Sequence, residues 1–300
     1  MGLRMRPSQV FAIGGGFVPK AVTKRLLEAT DIMEPRIMVC GFASMDRSAG
    51  NKAARSLFVD RHGCDRVVVM DDQMEFGSNW QDRTSEHRLS LRHQLDSKSC
   101  LEQLEVSTIF FFCGGDQRIL LDIFEGTLFL KQLRHQWARG QTIVAGTSAG
   151  LQVLSELAFT GDLLPGRDSH ADLTSDEIPV KAVVPHFVEL RQGFGFMGKT
   201  ILDQHFIVRQ RHNRLFSAVL EHPSFFGIGV DEETAIHVKG FAGEWVQPQV
   251  IGNSCAFYVS AKEADIARKG ASEFSRAHGL TCGFAWSGEN VKVQVEVSRG

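Results

Sequence analysis

The sequence predicts an α/β fold, a mostly parallel central sheet with helices on both faces. Two observations predict it. Short apolar runs alternate with longer amphipathic stretches over the first half of the chain, the pattern of successive βαβ units. Turn residues follow three of those runs, as Gly14-Gly15-Gly16, Gly114-Gly115-Asp116-Gln117 and Gly146-Thr147-Ser148-Ala149-Gly150. In sheets of this kind the chemistry sits beyond the carboxyl ends of the strands.

Taken in order, Val10 to Ile13 reads as the first strand, stopped by the three glycines. Lys20 to Thr30 is helical. Arg36 to Phe42 is a strand, Ala49 to His62 a helix and Arg66 to Met70 a strand. Val106 to Phe112 is the next strand, Gln117 to Trp137 the next helix and Thr142 to Ala145 the strand before the serine turn. Leu151 to Leu157 reads as helix. Residues 160 to 200 are rich in Gly, Pro and Asp and read as an active-site loop or an inserted element. Phe226 to Val230 and Ala235 to Val238 read as strands around a turn at Asp231-Glu232-Glu233. Val291, Val293, Val295 and Val297 alternate with polar residues, as in a half-exposed antiparallel strand. No linker or repeat divides the chain. A single domain over residues 1–300 is expected, β-rich from about residue 226.

Composition narrows the function. The chain has 300 residues, 43% of them hydrophobic, and a net charge of −2. It carries no basic stripe, so nucleic acid is not an expected partner. No run is long enough to span a membrane, and the apolar run at Val10 is too short for a signal-peptide core. The six cysteines are scattered without metal-ligand spacing. They read as reduced, which fits a cytoplasmic protein without metal or cofactor.

The pattern Gly146-x-Ser148-x-Gly150 between a strand and a helix carries the chemistry. Glycines there permit a sharp bend that lifts the serine hydroxyl clear of the sheet at a helix N-terminus. An ordinary glycine-rich turn shares the pattern, so a base is also needed. His205 in Asp203-Gln204-His205 is the candidate among eleven histidines. Arg209, Arg211 and Arg214 follow closely. Three guanidiniums in a chain without net positive charge suit carboxylate recognition, or else a salt-bridged surface.

Together these segments resemble a known family. Gly114-Gly115-Asp116-Gln117, the serine turn, Asp203-Gln204-His205-Phe206 with its arginines, and Gly227-Ile228-Gly229-Val230-Asp231-Glu232 look like the motif string of cyanophycinases. Those enzymes share a peptidase family with aspartyl dipeptidases. The similarity runs from about Phe11 to about Val238, and the last 60 residues carry no such motif. One departure stands at the start. The family's first Gly-Gly is followed by acidic residues and a lysine, where this chain has Gly16-Phe17-Val18-Pro19-Lys20.

The resemblance implies a flavodoxin-like, class I glutamine-amidotransferase-like fold with serine at the elbow. It implies Ser148 as nucleophile, His205 as base and backbone N–H groups near Gly115 and of Ala149 as the oxyanion hole. Gln117, Asp203, Gln204, Arg209, Arg211 and Arg214 match substrate-lining positions. An acid between serine and histidine is expected: Asp162 is the first candidate, with Asp168 and Glu156 as rivals. The implied partners are cyanophycin or a β-aspartyl-arginine peptide and a second copy of the chain, and the implied activity is release of β-aspartyl-arginine dipeptides. Two other readings stay open, an α-aspartyl dipeptidase and a non-catalytic binding protein of the same fold.

Overall fold

The computed structural model describes residues 6–44, 46–74, 85–164, 180–241, 243–271 and 273–297. The first half alternates as read: β1 (Ser8–Ile13), α1 (Lys20–Glu28), β2 (Ile37–Cys40), α2 (Arg47–His62) and β3 (Val67–Val69). Helices α3 (Ser85–Leu95) and α4 (Lys98–Glu105) precede β4 (Ile109–Phe112). Then come α5 (Gln117–Phe124), α6 (Leu128–Ala138), β5 (Ile143–Thr147) and the single turn α7 (Ala149–Gln152). Strands β6 (Ser155–Leu163), β7 (Val188–Gln192) and β8 (Met197–Asp203) lead to α8 (His212–Glu221). Every later element is a strand. They are β9 (Phe226–Val230), β10 (Thr234–Gly240), β11 (Trp245–Val246), β12 (Gln249–Gly252) and β13 (Cys255–Ser260), then β14 (Asp265–Lys269), β15 (Glu273–His278), β16 (Thr281–Trp286) and β17 (Val295–Val297).

The central sheet has the order β12-β10-β1-β5-β4-β2-β3. Its five first-half strands are parallel, and β10 and β12 add antiparallel strands beside β1. Period-two alternation sorts its side chains into two cores. Phe11, Ile13, Val39 and Phe111 share one core with Val22 and Leu26 of α1 and Phe58 of α2. Val10, Cys40, Phe110 and Phe112 enter the other with Leu95 of α3, Leu104 of α4 and Phe124 of α5. Both faces are therefore covered by helix.

Three expectations change. The helix read over Gln117 to Trp137 is two helices. Gly126 takes φ 74° and Thr127 caps α6, its side chain accepting from Leu130 N–H, so the chain stops and restarts. The helix read over Leu151 to Leu157 is α7 followed at once by β6, because β6 is claimed by β7 and β8. The stretch 160–200 supplies β7, β8 and the end of β6. These join a second, mixed sheet in which β8 and β9 are parallel while β9, β13 and β16 run antiparallel. The C-terminal strands thus enter both sheets.

Candidate active site

Strands of both sheets end at one place. β1 runs into Gly14, β4 into Gly114 and β5 into Ser148, while β8 of the second sheet runs into Gln204 and His205. Ser148 has φ 53° and ψ −116°. An L-residue is strained there and needs its surroundings to hold it. Its N–H donates to the Ile13 carbonyl at 3.0 Å. The flanking glycines allow the close approach. A Cβ on Gly146 would lie 2.3 Å from the Gly150 carbonyl oxygen, and one on Gly150 would lie 2.3 Å from that of Phe112.

His205 also sits at positive φ, 47°. Its N–H donates to the Gly14 carbonyl at 2.7 Å, which ties it to the end of β1. The imidazole lies against Gly15, where a Cβ would come within 2.4 Å of Nε2. Ser148 Oγ and His205 Nε2 are 2.9 Å apart. On the far side of the ring, Nδ1 is 2.5 Å from Glu232 Oε1. With Nδ1–H donating to the carboxylate, Nε2 carries the lone pair that accepts the serine proton. Burial pushes the imidazole below its ordinary pKa. The hydrogen bond to Glu232 opposes this, and Arg209 and Arg211 reinforce it.

The carboxylate that contacts His205 is that of Glu232, not that of the expected Asp162. Asp162 lies on β6 and accepts from Arg118 Nη1 at 2.6 Å, while Arg118 also grips Asp116. An aspartate paired to that arginine is not the partner of His205. Glu156 instead accepts from the Lys199 N–H at 2.9 Å. Asp168 lies outside the described residues. Glu232 closes the motif Gly227 to Glu232, which lies beyond the interval between serine and histidine in which the acid is expected. Asp231, beside it, holds the histidine loop. Its Oδ1 accepts from the N–H groups of Ile207 and Val208, and its Oδ2 from Ser254 Oγ.

The arginines divide. Arg214 binds both carboxylate oxygens of Asp203, and its guanidinium lies 4.8 Å over the Phe159 ring. Arg211 donates to the Gln204 carbonyl at 2.9 Å and lies 3.6 Å from Asp203. Asp203, Arg211 and Arg214 are at most 1% exposed. The buried charges pair with one another, as burial demands, so Asp203, Arg211 and Arg214 meet each other instead of the open face expected of substrate-lining groups. Arg209 is exposed. Gln204 is buried with Oε1 at 3.4 Å from Ser148 Oγ. Gln117 is buried and donates to the Thr160 carbonyl at 2.7 Å. Gly114 faces the serine, with a Cβ there 3.0 Å from Ser148 Cβ. Gly115, at φ 137°, turns the chain against Ala43, and Ala149 opens α7. Among the described residues no group of three or more His, Cys, Asp or Glu is placed to hold a metal, and no helix is long and apolar enough to cross a membrane.

This arrangement can move a proton from a serine hydroxyl to an imidazole and stabilise the resulting cation with a carboxylate. The family profile described as Peptidase family S51 matches residues 86–244, a span that contains Ser148, His205 and Glu232. A cyanophycinase from Synechococcus elongatus is 36% identical over 143 residues, covering 48% of this chain and 40% of that protein. One from Geminocystis herdmanii is 34% identical over 143 residues, covering 48% and 47%. The match thus spans less than half the length of these curated relatives. The crystal structure of a peptidase from an acI-B1 Actinobacterium is similar in fold, with a TM-score of 0.61 at 18% identity over 96% of this chain and 97% of that one.

Proposed function

The chain belongs to peptidase family S51, and from that premise we propose that it is a serine peptidase acting on aspartyl peptides through an acyl-enzyme on Ser148. The observation that carries the reading is the continuous contact from Ser148 Oγ to His205 Nε2 and from His205 Nδ1 to Glu232. In this reading Ser148 Oγ attacks the peptide carbonyl while His205 Nε2 takes its proton. The imidazolium then protonates the leaving amine, and water activated by the neutral imidazole releases the acyl group. Glu232 keeps Nδ1 protonated and offsets the charge on the ring. The backbone N–H groups of Gly115 and Ala149 receive the developing oxyanion.

The relatives named cyanophycinase support cyanophycin or β-aspartyl-arginine peptides as substrate. Gln117, Gln204 and Arg209 are the residues proposed to face that substrate, with Asp203, Arg211 and Arg214 as the buried scaffold behind them. The second reading, an α-aspartyl dipeptidase, is favoured by that same buried ion pair. It leaves fewer groups for the arginines and carboxylates of a polymer. A cytoplasmic setting is supported by six cysteines that form no disulfide. The test is hydrolysis of insoluble cyanophycin and of Asp-Leu by the wild type and by Ser148→Ala. Soluble dipeptide from the polymer supports the first substrate, and cleavage of Asp-Leu alone supports the second. Turnover that survives Ser148→Ala contradicts both.

A further inference from the structure

A cavity of about 360 Å³ opens beyond the amino ends of the central parallel strands, at the end of the sheet opposite Ser148. Gln9 near the start of β1, Thr108 just before β4 and Ile143 at the head of β5 line it, with His237 and Lys239 of β10 and the end of α1. From Gln9 to Ile13 along β1 is already roughly 13 Å, so a ligand here stays clear of the serine. The volume lies within the range of about 300–1,000 Å³ usual for small-molecule pockets.

His237 is the buried polar group in its wall, only 6% exposed. Its ring stacks on Phe11, with centroids 4.1 Å apart. Nε2 lies 2.9 Å from Gln9 Oε1, and the Gln9 amide nitrogen donates to the Ala29 carbonyl at 2.9 Å. A carbonyl only accepts, so Gln9 presents its oxygen to His237 and the ring proton sits on Nε2. Burial, reinforced by Arg25 and Lys239, pushes the imidazole down to about 3 and keeps it neutral. Nδ1 therefore offers a lone pair to the cavity, with no donor to it among the described residues.

Charged groups surround that lone pair. Arg6, Arg25 and Lys239 line the cavity together with Glu28 and Asp31. Arg25 and Lys239 are exposed and pair with no carboxylate among the described residues, whereas Glu28 lies 3.8 Å from Lys24. With His237 neutral, three cations face two carboxylates, an excess of one positive charge.

We propose that this cavity is a second ligand site, remote from Ser148, that takes an acidic α-amino acid. The two carboxylates of the ligand meet Arg25 and Lys239, and its ammonium donates to His237 Nδ1 beside Glu28 and Asp31. The single net negative charge of such a ligand offsets the excess on the walls. A ligand with carboxylates alone fits less well, because it would set lone pair against lone pair at Nδ1. The inference is independent of Ser148 as nucleophile and of the peptide that it cleaves.

The test is isothermal titration calorimetry of the wild type with L-aspartate and with succinate. L-Aspartate should bind with a dissociation constant below about 1 mM. Succinate has the same two carboxylates but no ammonium. It should bind at least about five-fold more weakly, because Nδ1 stays unpaired. Arg25→Glu and Lys239→Glu, at exposed positions, should each weaken L-aspartate binding at least about ten-fold. His237→Phe keeps a ring against Phe11 and should erase the preference for L-aspartate over succinate. No binding of L-aspartate up to about 10 mM overturns the site. So do equal affinities for the two probes in the wild type, or a preference that survives His237→Phe. L-Aspartate binding that survives both charge reversals also overturns it, because the amino acid then sits elsewhere, the Ser148 site included.

Discussion

Glu232 Oε1 lies 2.5 Å from His205 Nδ1 across 27 residues of chain, and strand register sets that contact. β8 and β9 pair in parallel with Asp203 opposite Gly229. The two strands leave the sheet together, and the residues that follow, His205 and Glu232, meet. Asp231 then bonds the loop after His205, so two neighbouring acids perform different tasks. One orients the ring and the other holds its backbone.

Glu232→Gln should therefore lower kcat by about 10⁴-fold, because the amide no longer enforces the Nδ1–H tautomer or offsets the imidazolium. Asp162→Asn should change kcat little and cost at most about 1 kcal/mol of stability, since it weakens a part-exposed pair with Arg118. Steady-state kinetics of the two variants on the substrate that the wild type cleaves check this. A larger defect in Asp162→Asn would return the role to Asp162.

The pH profile follows from the depressed pKa of His205. The base must be neutral to accept the serine proton, so activity rises with pH as the imidazole loses its proton. Burial, reinforced by Arg209 and Arg211, places that rise below the ordinary histidine value of 6.5. A kcat/KM profile should show its acidic limb below pH 6.5 and a plateau through neutrality. A limb centred above 6.5 would show Glu232 outweighing burial.

The arginines give a split between stability and binding. Arg214→Ala removes the guanidinium that binds both oxygens of buried Asp203, leaving only Arg211 at 3.6 Å, and should cost about 3 kcal/mol in urea unfolding. Arg209→Ala, at an exposed position, should stay within about 0.5 kcal/mol of the wild type. It should act instead on KM. Equal stability of the two variants would mean that the Asp203 pair contributes nothing.

Gly15→Ala probes the packing of the base. The added methyl would lie 2.4 Å from His205 Nε2 at a backbone φ of 110°, so the ring must move off Ser148. A fall in kcat of about 10²-fold or more is expected, since misplacement by about 1 Å costs that much. Wild-type turnover in Gly15→Ala would show that the ring has freedom the contacts deny it.

Much of this was legible in local sequence. Val10 to Ile13, and Ile109 to Phe112 within the run read from Val106, are strands because both their faces are apolar, and the serine turn announces itself by its glycines. What local pattern misses is pairing. Glu232 reaches His205 only through the β8–β9 register. Arg214 looked like a ligand for carboxylates until the fold placed Asp203 against it. Leu151 to Leu157 is apolar enough for helix or strand, and pairing with β7 and β8 decides for strand from Ser155 onward. Gly126 could have ended α5 on sight, because positive φ after a helix is its usual office.

The most direct test of the central claim is the site of covalent capture by a serine-reactive fluorophosphonate, read by peptide mass spectrometry. The account predicts one adduct, on Ser148, formed much more slowly in Glu232→Gln and lost in His205→Ala. An adduct on another residue, or one on Ser148 whose rate is indifferent to His205→Ala, would contradict it.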